Sequence, residues 1–361
     1  MKKKSIIFLC IFLSSLIILP LYHIFLARDF YSKKFFDNGL RQVYNIDPVL
    51  NLLGTLGNFA GISLDTNAVY FGKKGWLYLG EGFNQPISKK ISGAKKFNNQ
   101  INALHSSIIN WSSFLKRNNV KNFYIIIGPD KESIYSEFTP SWFKQSSNKI
   151  HDKIIKQNDK VYIDSFTALE SKKAKSTLPL YFKTDTHWNE LGASQAFMAL
   201  AKTSKDNEDG LDWPPTNLNF EITHFSPGDL SKFQRSGVFL NDLDVKINNP
   251  LVVNLDIVES AYRSGEIIYQ GKNIPIESPK EPLIIRTPHA LNNVRVIWLR
   301  DSFGTAMSRL MAATFTETLQ IHHGRVSPEE IRNMIIDYKP DYVIVTVVER
   351  DSLNGIFTYN P

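Results

Sequence analysis

Between Val294 and Val348 the sequence alternates two patterns that cannot belong to one kind of secondary structure. Apolar runs at Val294–Leu299, Thr318–Ile321 and Tyr342–Val348 have the length and β-branched content of buried strands. Helix-like segments lie between them, one from about Phe303 to Ala313 and one from Pro328. The second has a strong start: Ser327 can cap it, Pro328 suits the first turn, and Glu330 completes a Ser-x-x-Glu capping box. Strands that are apolar on both faces and separated by helices imply a mainly parallel sheet flanked by helices, an α/β fold. Such sheets build their sites at the carboxyl ends of the strands.

The upstream sequence extends this pattern. Ile101, Leu104, Ile108, Trp111 and Leu115 recur at steps of three and four, which predicts an amphipathic helix within Phe97–Asn118. A buried strand follows at Phe123–Ile127 and ends in the breaker cluster Gly128-Pro129-Asp130-Lys131; another, Val161–Ile163, ends at Asp164. Nearer the start, Val69-Tyr70-Phe71 and Trp76-Leu77-Tyr78-Leu79 read as short strands around a Lys73-Lys74-Gly75 turn. Residues 213–288 are richer in proline and asparagine and hold β-like runs at Leu251-Val252-Val253 and Glu266-Ile267-Ile268-Tyr269, as expected of a β-rich insertion. With 361 residues, 43% of them hydrophobic, the chain can form one large domain over 64–361.

The N-terminus carries a different message. Lys2, Lys3 and Lys4 precede Ser5–Ala27, a largely apolar stretch of about 23 residues that would span roughly 35 Å as a helix. We read residues 1–27 as a transmembrane signal-anchor rather than a cleaved signal peptide, because no small-x-small cleavage pattern follows it. Positive-inside orientation keeps the lysines cytoplasmic and exports the rest, which in a bacterium means a single-pass inner-membrane protein with its domain in the periplasm. Residues 28–63 are then a juxtamembrane stalk. The only cysteine, Cys10, lies inside the apolar stretch, so disulfides and cysteine chemistry are excluded from the exported part. Three of the seven net positive charges are the N-terminal lysines, and no basic and aromatic cluster suggests nucleic acid as a partner.

Ser302, in Arg300-Asp301-Ser302-Phe303-Gly304, sits where a strand gives way to a helix. A serine there has its hydroxyl at the carboxyl edge of the sheet, next to the free amides of the helix's first turn. It needs a base, and the base needs an orienting group; His187 and Asp185, in Asp185-Thr186-His187-Trp188, can supply both from one loop. The helix expected from Asn189 places His187 near a helix N-terminus, where the dipole disfavours imidazolium. Other readings remain open from the residues alone. Ser302 is also a good helix N-cap, and Asp301 is an alternative acid. Asp185 and His187 could be metal ligands, joined by at most one of His322 and His323. Lys131, Trp188 and Arg300 are the candidates for contacting a substrate, although a loop lysine and a tryptophan equally suit exposed surface and core packing.

Together with Tyr181-Phe182-Lys183-Thr184 before Asp185, Gly75-Trp76-Leu77-Tyr78, Gly228-Asp229-Leu230, and the closing Lys339-Pro340-Asp341-Tyr342 to Glu349-Arg350, these segments resemble the periplasmic alginate O-acetyltransferases of the AlgX/AlgJ group. The resemblance runs from about Val69 to Arg350. It implies an SGNH-hydrolase-like domain with Ser302 as catalytic serine, His187 as base and Asp185 as its orienting acid. It also implies an acetyl group delivered by a membrane-bound O-acyltransferase partner and placed on a polysaccharide hydroxyl, with no cofactor and no metal. Arg300 departs from the glycine of the Gly-Asp-Ser block in ordinary SGNH hydrolases, and Asp-x-His precedes the serine, as in the acetyltransferase group. Only about ten residues follow Arg350, so a compact member without an appended carbohydrate-binding module is expected. A carbohydrate acetylesterase and a non-catalytic polysaccharide assembly protein are the alternatives.

Overall fold

The computed structural model describes residues 45–236, 242–354 and 358–361, together with 13–14, 17–18 and 21–22. Most of the predicted anchor and the first part of the stalk lie outside the described residues. Among those described, no helix is long and apolar enough to cross a membrane.

The strands are β1 (Val69–Phe71), β2 (Leu77–Leu79), β3 (Asn122–Gly128), β4 (Tyr162–Ile163), β5 (Phe220–Phe225), β6 (Asp242–Ile247), β7 (Asp256–Ala261), β8 (Ile267–Lys272), β9 (Leu283–Arg286), β10 (Asn292–Arg300), β11 (Phe315–His322) and β12 (Tyr342–Val348). The longer helices are α1 (Asp47–Ala60), α2 (Asn98–Arg117), α3 (Ser165–Lys173), α4 (Glu190–Asp206), α5 (Ser308–Thr314) and α6 (Pro328–Tyr338). Eight strands form the central sheet in the order β4-β3-β12-β10-β11-β9-β7-β8. From β4 to β11 every pairing is parallel. Beyond β11, strands β9, β7 and β8 pair antiparallel.

The sheet is therefore mixed, which corrects the expectation of a mainly parallel one. Three strands drawn from the supposed insertion complete the main sheet, while β5 and β6 form a separate antiparallel pair. The Leu251-Val252-Val253 run, expected as β-like, is instead a short helix at Pro250–Val253. Pro250 occupies its first turn and Asn249 caps it by accepting from the Leu251 amide, so local capping overrides β-propensity.

Alternation along the parallel strands divides the core in two. Tyr124 and Ile126, Val296 and Trp298, and Tyr342 and Ile344 face one side, where they meet Trp188, Leu191 and Phe197. Phe123, Ile125 and Ile127, Ile297 and Leu299, and Val343 and Val345 face the other, against Ile108, Trp111, Ile331 and Ile335. This two-sided burial is why the strands read as unbroken apolar runs. Helix α2 buries all five residues of the predicted stripe. Helix α6 begins with the expected capping box, Ser327 accepting from the Glu330 amide and Glu330 from that of Ser327, a motif that contributes about 1 kcal/mol.

Candidate active site

Strand β10 lies between β12 and β11, and its carboxyl end delivers Ser302 to the centre of the sheet edge. The chain then enters a 3-10 helix, Ser302–Met307, and becomes α-helical only at Ser308, where a single helix from about Phe303 was expected. Asp301, not Ser302, is the N-cap: its Oδ1 accepts from the Phe303 amide at 2.9 Å and its Oδ2 from the Val348 amide at 2.7 Å. The cap reading of Ser302 therefore fails for a physical reason, because the preceding carboxylate already holds that position. This leaves the Ser302 hydroxyl exposed.

Asp185 and His187 come from a loop closed by a bridge between Tyr181 and Trp188, just before α4, whose N-cap is Asn189. His187 Nε2 lies 2.8 Å from Ser302 Oγ, and His187 Nδ1 lies 2.6 Å from Asp185 Oδ1. Asp185 Oδ1 also accepts from the His187 amide at 3.0 Å, and its Oδ2 from the Asp229 amide at 3.0 Å. Burial alone would raise the Asp185 carboxyl, but the bonds and charge from His187 and the Asp229 amide hold it well below the usual carboxylate range. For His187, burial pulls the other way from the Asp185 carboxylate, and the carboxylate wins, raising the imidazole above its ordinary value. The expected depression by the helix dipole is thus overridden by a charge in direct contact.

Three groups from residues 228–242 help to fix this loop, and only one of their segments stood out in the sequence. Asp229 accepts from the Thr186 amide at 2.8 Å and from its hydroxyl. Asp242 Oδ2 accepts from the Thr184 amide at 2.7 Å and from its hydroxyl at 2.9 Å. Gly228 passes so close that a Cβ there would lie 2.3 Å from Asp185 Cβ. The Gly228-Asp229-Leu230 segment carried a signal through the resemblance. Asp242 carried none, since a lone aspartate opening a strand has no sequence signature.

Of the residues expected to touch substrate, Trp188 lines the cleft over Ser302 although most of its ring is buried, while Lys131 and Arg300 are enclosed in the scaffold. Lys131 is only 2% exposed and donates to three carbonyls, those of Phe182 and Lys183 at 3.0 Å and of Asp185 at 2.7 Å. Burial pushes its ammonium down to about 8. It fastens the loop instead of reaching solvent, because the carbonyls of three residues within 182–185 converge on its ammonium. Trp188 is 1% exposed, donates from Nε1 to the Phe303 carbonyl at 2.8 Å and packs on the Phe303 ring, joining the base's loop to the nucleophile's turn. Arg300 is fully buried, stacks on Trp298, and donates from Nη2 to the Ile276 and Glu277 carbonyls at 2.8 Å and from Nε to Gln320 at 2.9 Å. Burial pulls its guanidinium down to about 9. Lys131 and Arg300 are positioning residues of the scaffold, whereas Trp188 both ties the two halves of the site together and contributes to the cleft lining. Asp301, the alternative acid, faces His323 at 3.5 Å.

A cleft of about 410 Å³ opens over Ser302 and His187. Phe182, Trp188, Asn189, Asp244, Lys246, Pro275, Glu277, Thr305 and Ala306 are among the residues that line it. Asp185, His187 and Asp229 each present a ligand atom within 4.8 Å of one another, the spacing of a possible metal site. Those atoms are already committed: both Asp229 oxygens to Thr186, both Asp185 oxygens to His187 and Asp229, and both imidazole nitrogens to Asp185 and Ser302.

A serine, histidine and aspartate linked in this order at the carboxyl edge of an α/β sheet define the class of hydroxyl-dependent acyl-transfer domains. The chain belongs to the family described as SGNH hydrolase-like domain, acetyltransferase AlgX, whose model matches residues 69–249. That stretch includes Asp185, His187 and Asp229 but stops short of Ser302. Bacillus cereus PatB1, solved with a sulfonyl adduct, superposes with a TM-score of 0.60 at 19% identity, over 81% of this chain and 98% of that one. A DHHW family protein from Eubacterium siraeum gives 0.52 at 14% identity, over 70% and 86% of the two chains. The O-acetyltransferase domain of Pseudomonas putida AlgJ gives 0.48 at 18% identity, over 81% and 96%. No curated protein matches the sequence.

Proposed function

We propose that this chain is a membrane-anchored, periplasmic O-acetyltransferase that carries an acetyl group on Ser302 and passes it to hydroxyls of an exported, alginate-like polysaccharide. The observation that supports this best is the continuous path from Asp185 through His187 to an exposed Ser302 hydroxyl, opening on a cleft of about 410 Å³. The anchor is Ser5–Ala27, and the acetyl donor is a membrane-bound O-acyltransferase partner.

In the first step, Ser302 Oγ attacks the carbonyl carbon of the donor's acetyl group while His187 Nε2 takes the hydroxyl proton. The proton then goes to the departing donor group as its bond to the acetyl carbon breaks, leaving a serine acetyl ester. In the second step a sugar hydroxyl attacks the ester carbonyl and gives its proton to His187. His187 returns that proton to Ser302 Oγ as the ester bond breaks. Asp185 favours the imidazolium formed in both steps. The Phe303 and Gly304 amides already donate to Asp301, so the Ser302 amide is the first-turn donor left for the developing oxyanion.

Sulfonyl reagents add to activated hydroxyls, and the similar PatB1 structure carries a sulfonyl adduct. The test is therefore direct: a sulfonyl fluoride should add one sulfonyl group to a peptide containing Ser302, and His187→Ala should abolish the adduct. Transfer to an oligosaccharide should outpace release to water. An enzyme that only hydrolyses acetyl esters would be an esterase, and unchanged exopolysaccharide acetylation in a Ser302→Ala strain would sink the proposal.

A further inference from the structure

Helix α1 reverses the usual arrangement of a surface helix, which turns its apolar stripe inward. Val49, Leu52, Leu53, Leu56 and Phe59 fall at i, i+3, i+4, i+7 and i+10, and all are exposed, Leu56 by 54% and Phe59 by 76%. The opposite face is seated on protein. A Cβ at Gly54 would lie 2.2 Å from the Gln234 carbonyl oxygen, and one at Gly57 would lie 2.7 Å from that of Ile62. Gly54 thus allows a backbone-to-backbone contact with residues 234–235 that a larger residue would block, Gly57 leaves room for the helix's own closing turn and the Gln234 side chain, and Asp47 pairs with Arg235 at the helix start. The outward stripe is therefore set by how the helix is seated. Ile62 and Leu64, 61% and 47% exposed, enlarge an apolar patch of the kind that marks an interaction surface.

We propose that α1 lies in the plane of the membrane interface, its leucine and phenylalanine stripe among the acyl chains, and lays the catalytic domain on the bilayer. The proposal rests on reading Ser5–Ala27 as a membrane anchor. Only 19 residues separate the end of that apolar stretch from Asp47, which tethers α1 to a lipid surface. The interval holds Arg28, Lys33, Lys34 and Arg41 against Asp29 and Asp37, a basic excess that suits anionic headgroups. The seat of α1, Gln234 and Arg235, directly follows the short helix Asp229–Phe233, whose first amide bonds Asp185. Contact with lipid is thereby mounted on the same element that steadies the catalytic carboxylate.

The test uses the full chain with Cys10→Ser and one new cysteine, Phe59→Cys or, as control, Glu329→Cys at the start of α6, each labelled with a polarity-sensitive fluorophore. The proteins are reconstituted in phosphatidylethanolamine and phosphatidylglycerol vesicles, with and without brominated acyl chains. The Phe59 label should shift to the blue and lose most of its emission to the brominated lipid, while the Glu329 label keeps its aqueous spectrum. An aqueous spectrum at Phe59 overturns the proposal, and so does a shift that appears only when the O-acyltransferase partner is added, which would make the stripe a protein interface. Alkaline carbonate extraction separates the two ideas. A chain that stays in the vesicles with an aqueous Phe59 label keeps the anchor and loses the interfacial helix. A chain that is released, yet whose Phe59 label reported lipid before extraction, keeps the helix and loses the span.

Discussion

Of the histidine–carboxylate pairs near the carboxyl ends of this sheet, His187–Asp185 and His151–Glu349 differ most, and only the first meets a hydroxyl over an open cleft. His187 pairs with Asp185 at 2.6 Å and presents its far nitrogen to Ser302. His151 pairs with Glu349 at 3.1 Å, but it is 2% exposed and its ring stacks on Phe166 with centroids 3.4 Å apart. Glu349 also accepts from Ser133 at 2.6 Å and lies 3.5 Å from Lys90, which binds Asp130 and Glu132 at 2.8 and 3.0 Å. A carboxylate beside an imidazole is therefore not enough to define a site. In one pair the remaining nitrogen faces a reactive partner and substrate space, whereas in the other the group is one member of a sealed ionic network that joins β3 to β12.

The comparison breaks most visibly under substitution. Ser302→Ala should lower acetyl transfer by about 10³-fold or more with little change in melting temperature, and His187→Ala should lower it comparably while also costing the stability that the pair with Asp185 supplies, measured as turnover of a small acetyl ester alongside thermal unfolding. On the sealed side the effect should fall on stability: Lys90→Met leaves Asp130, Glu132 and Glu349 buried around a missing cation and should cost about 3–5 kcal/mol in denaturant unfolding. If the Lys90 variant instead keeps its stability and loses turnover per folded molecule, the network belongs to the chemistry.

A smaller effect should appear in pH dependence. His187 must be neutral to accept the serine proton, so turnover should rise with pH through a midpoint above the 6.5 of a free imidazole. Asp185→Asn should move that midpoint down and His151→Gln should leave it in place. The same pair has a stability signature. The raised His187 stabilises the fold fully below pH 6.5 and loses that contribution as pH climbs through its folded value. The depressed Asp185 contributes above 3.8 and loses its share as pH falls through its own folded value. The smallest expected effect is Trp188→Phe, which removes one hydrogen bond to the Phe303 carbonyl and should cost about 1 kcal/mol. A much larger loss of turnover than of stability there would show that the tie between the two halves of the site sets its geometry.

What could be read from the sequence was whatever depends on local pattern. The two-faced strands, the α2 stripe and the Ser327 capping box follow from residue spacing alone, and so does the pairing of Asp185 with His187, two residues apart on one loop. What could not be read depends on partners far away in the chain. Lys131 looked like a loop lysine because nothing nearby announces that three carbonyls from residues 182–185 converge on it. Arg300 looked available to substrate for the same reason, since its acceptors at Ile276 and Glu277 belong to another segment. Strands β7 and β9 read as part of an insertion because antiparallel hairpins give no hint of which sheet they will join.

Arg300 carries one more consequence. Through its grip on the Ile276 and Glu277 carbonyls it ties the wall of the cleft at Pro275 and Glu277 to the strand that leads to Ser302. The wall and the nucleophile are in effect one casting. Exchanging the 213–288 segment for that of a relative therefore preserves the site only if the donor segment brings carbonyls that fit this guanidinium. Where it does not, the exchange will also misalign the Ser302 hydroxyl.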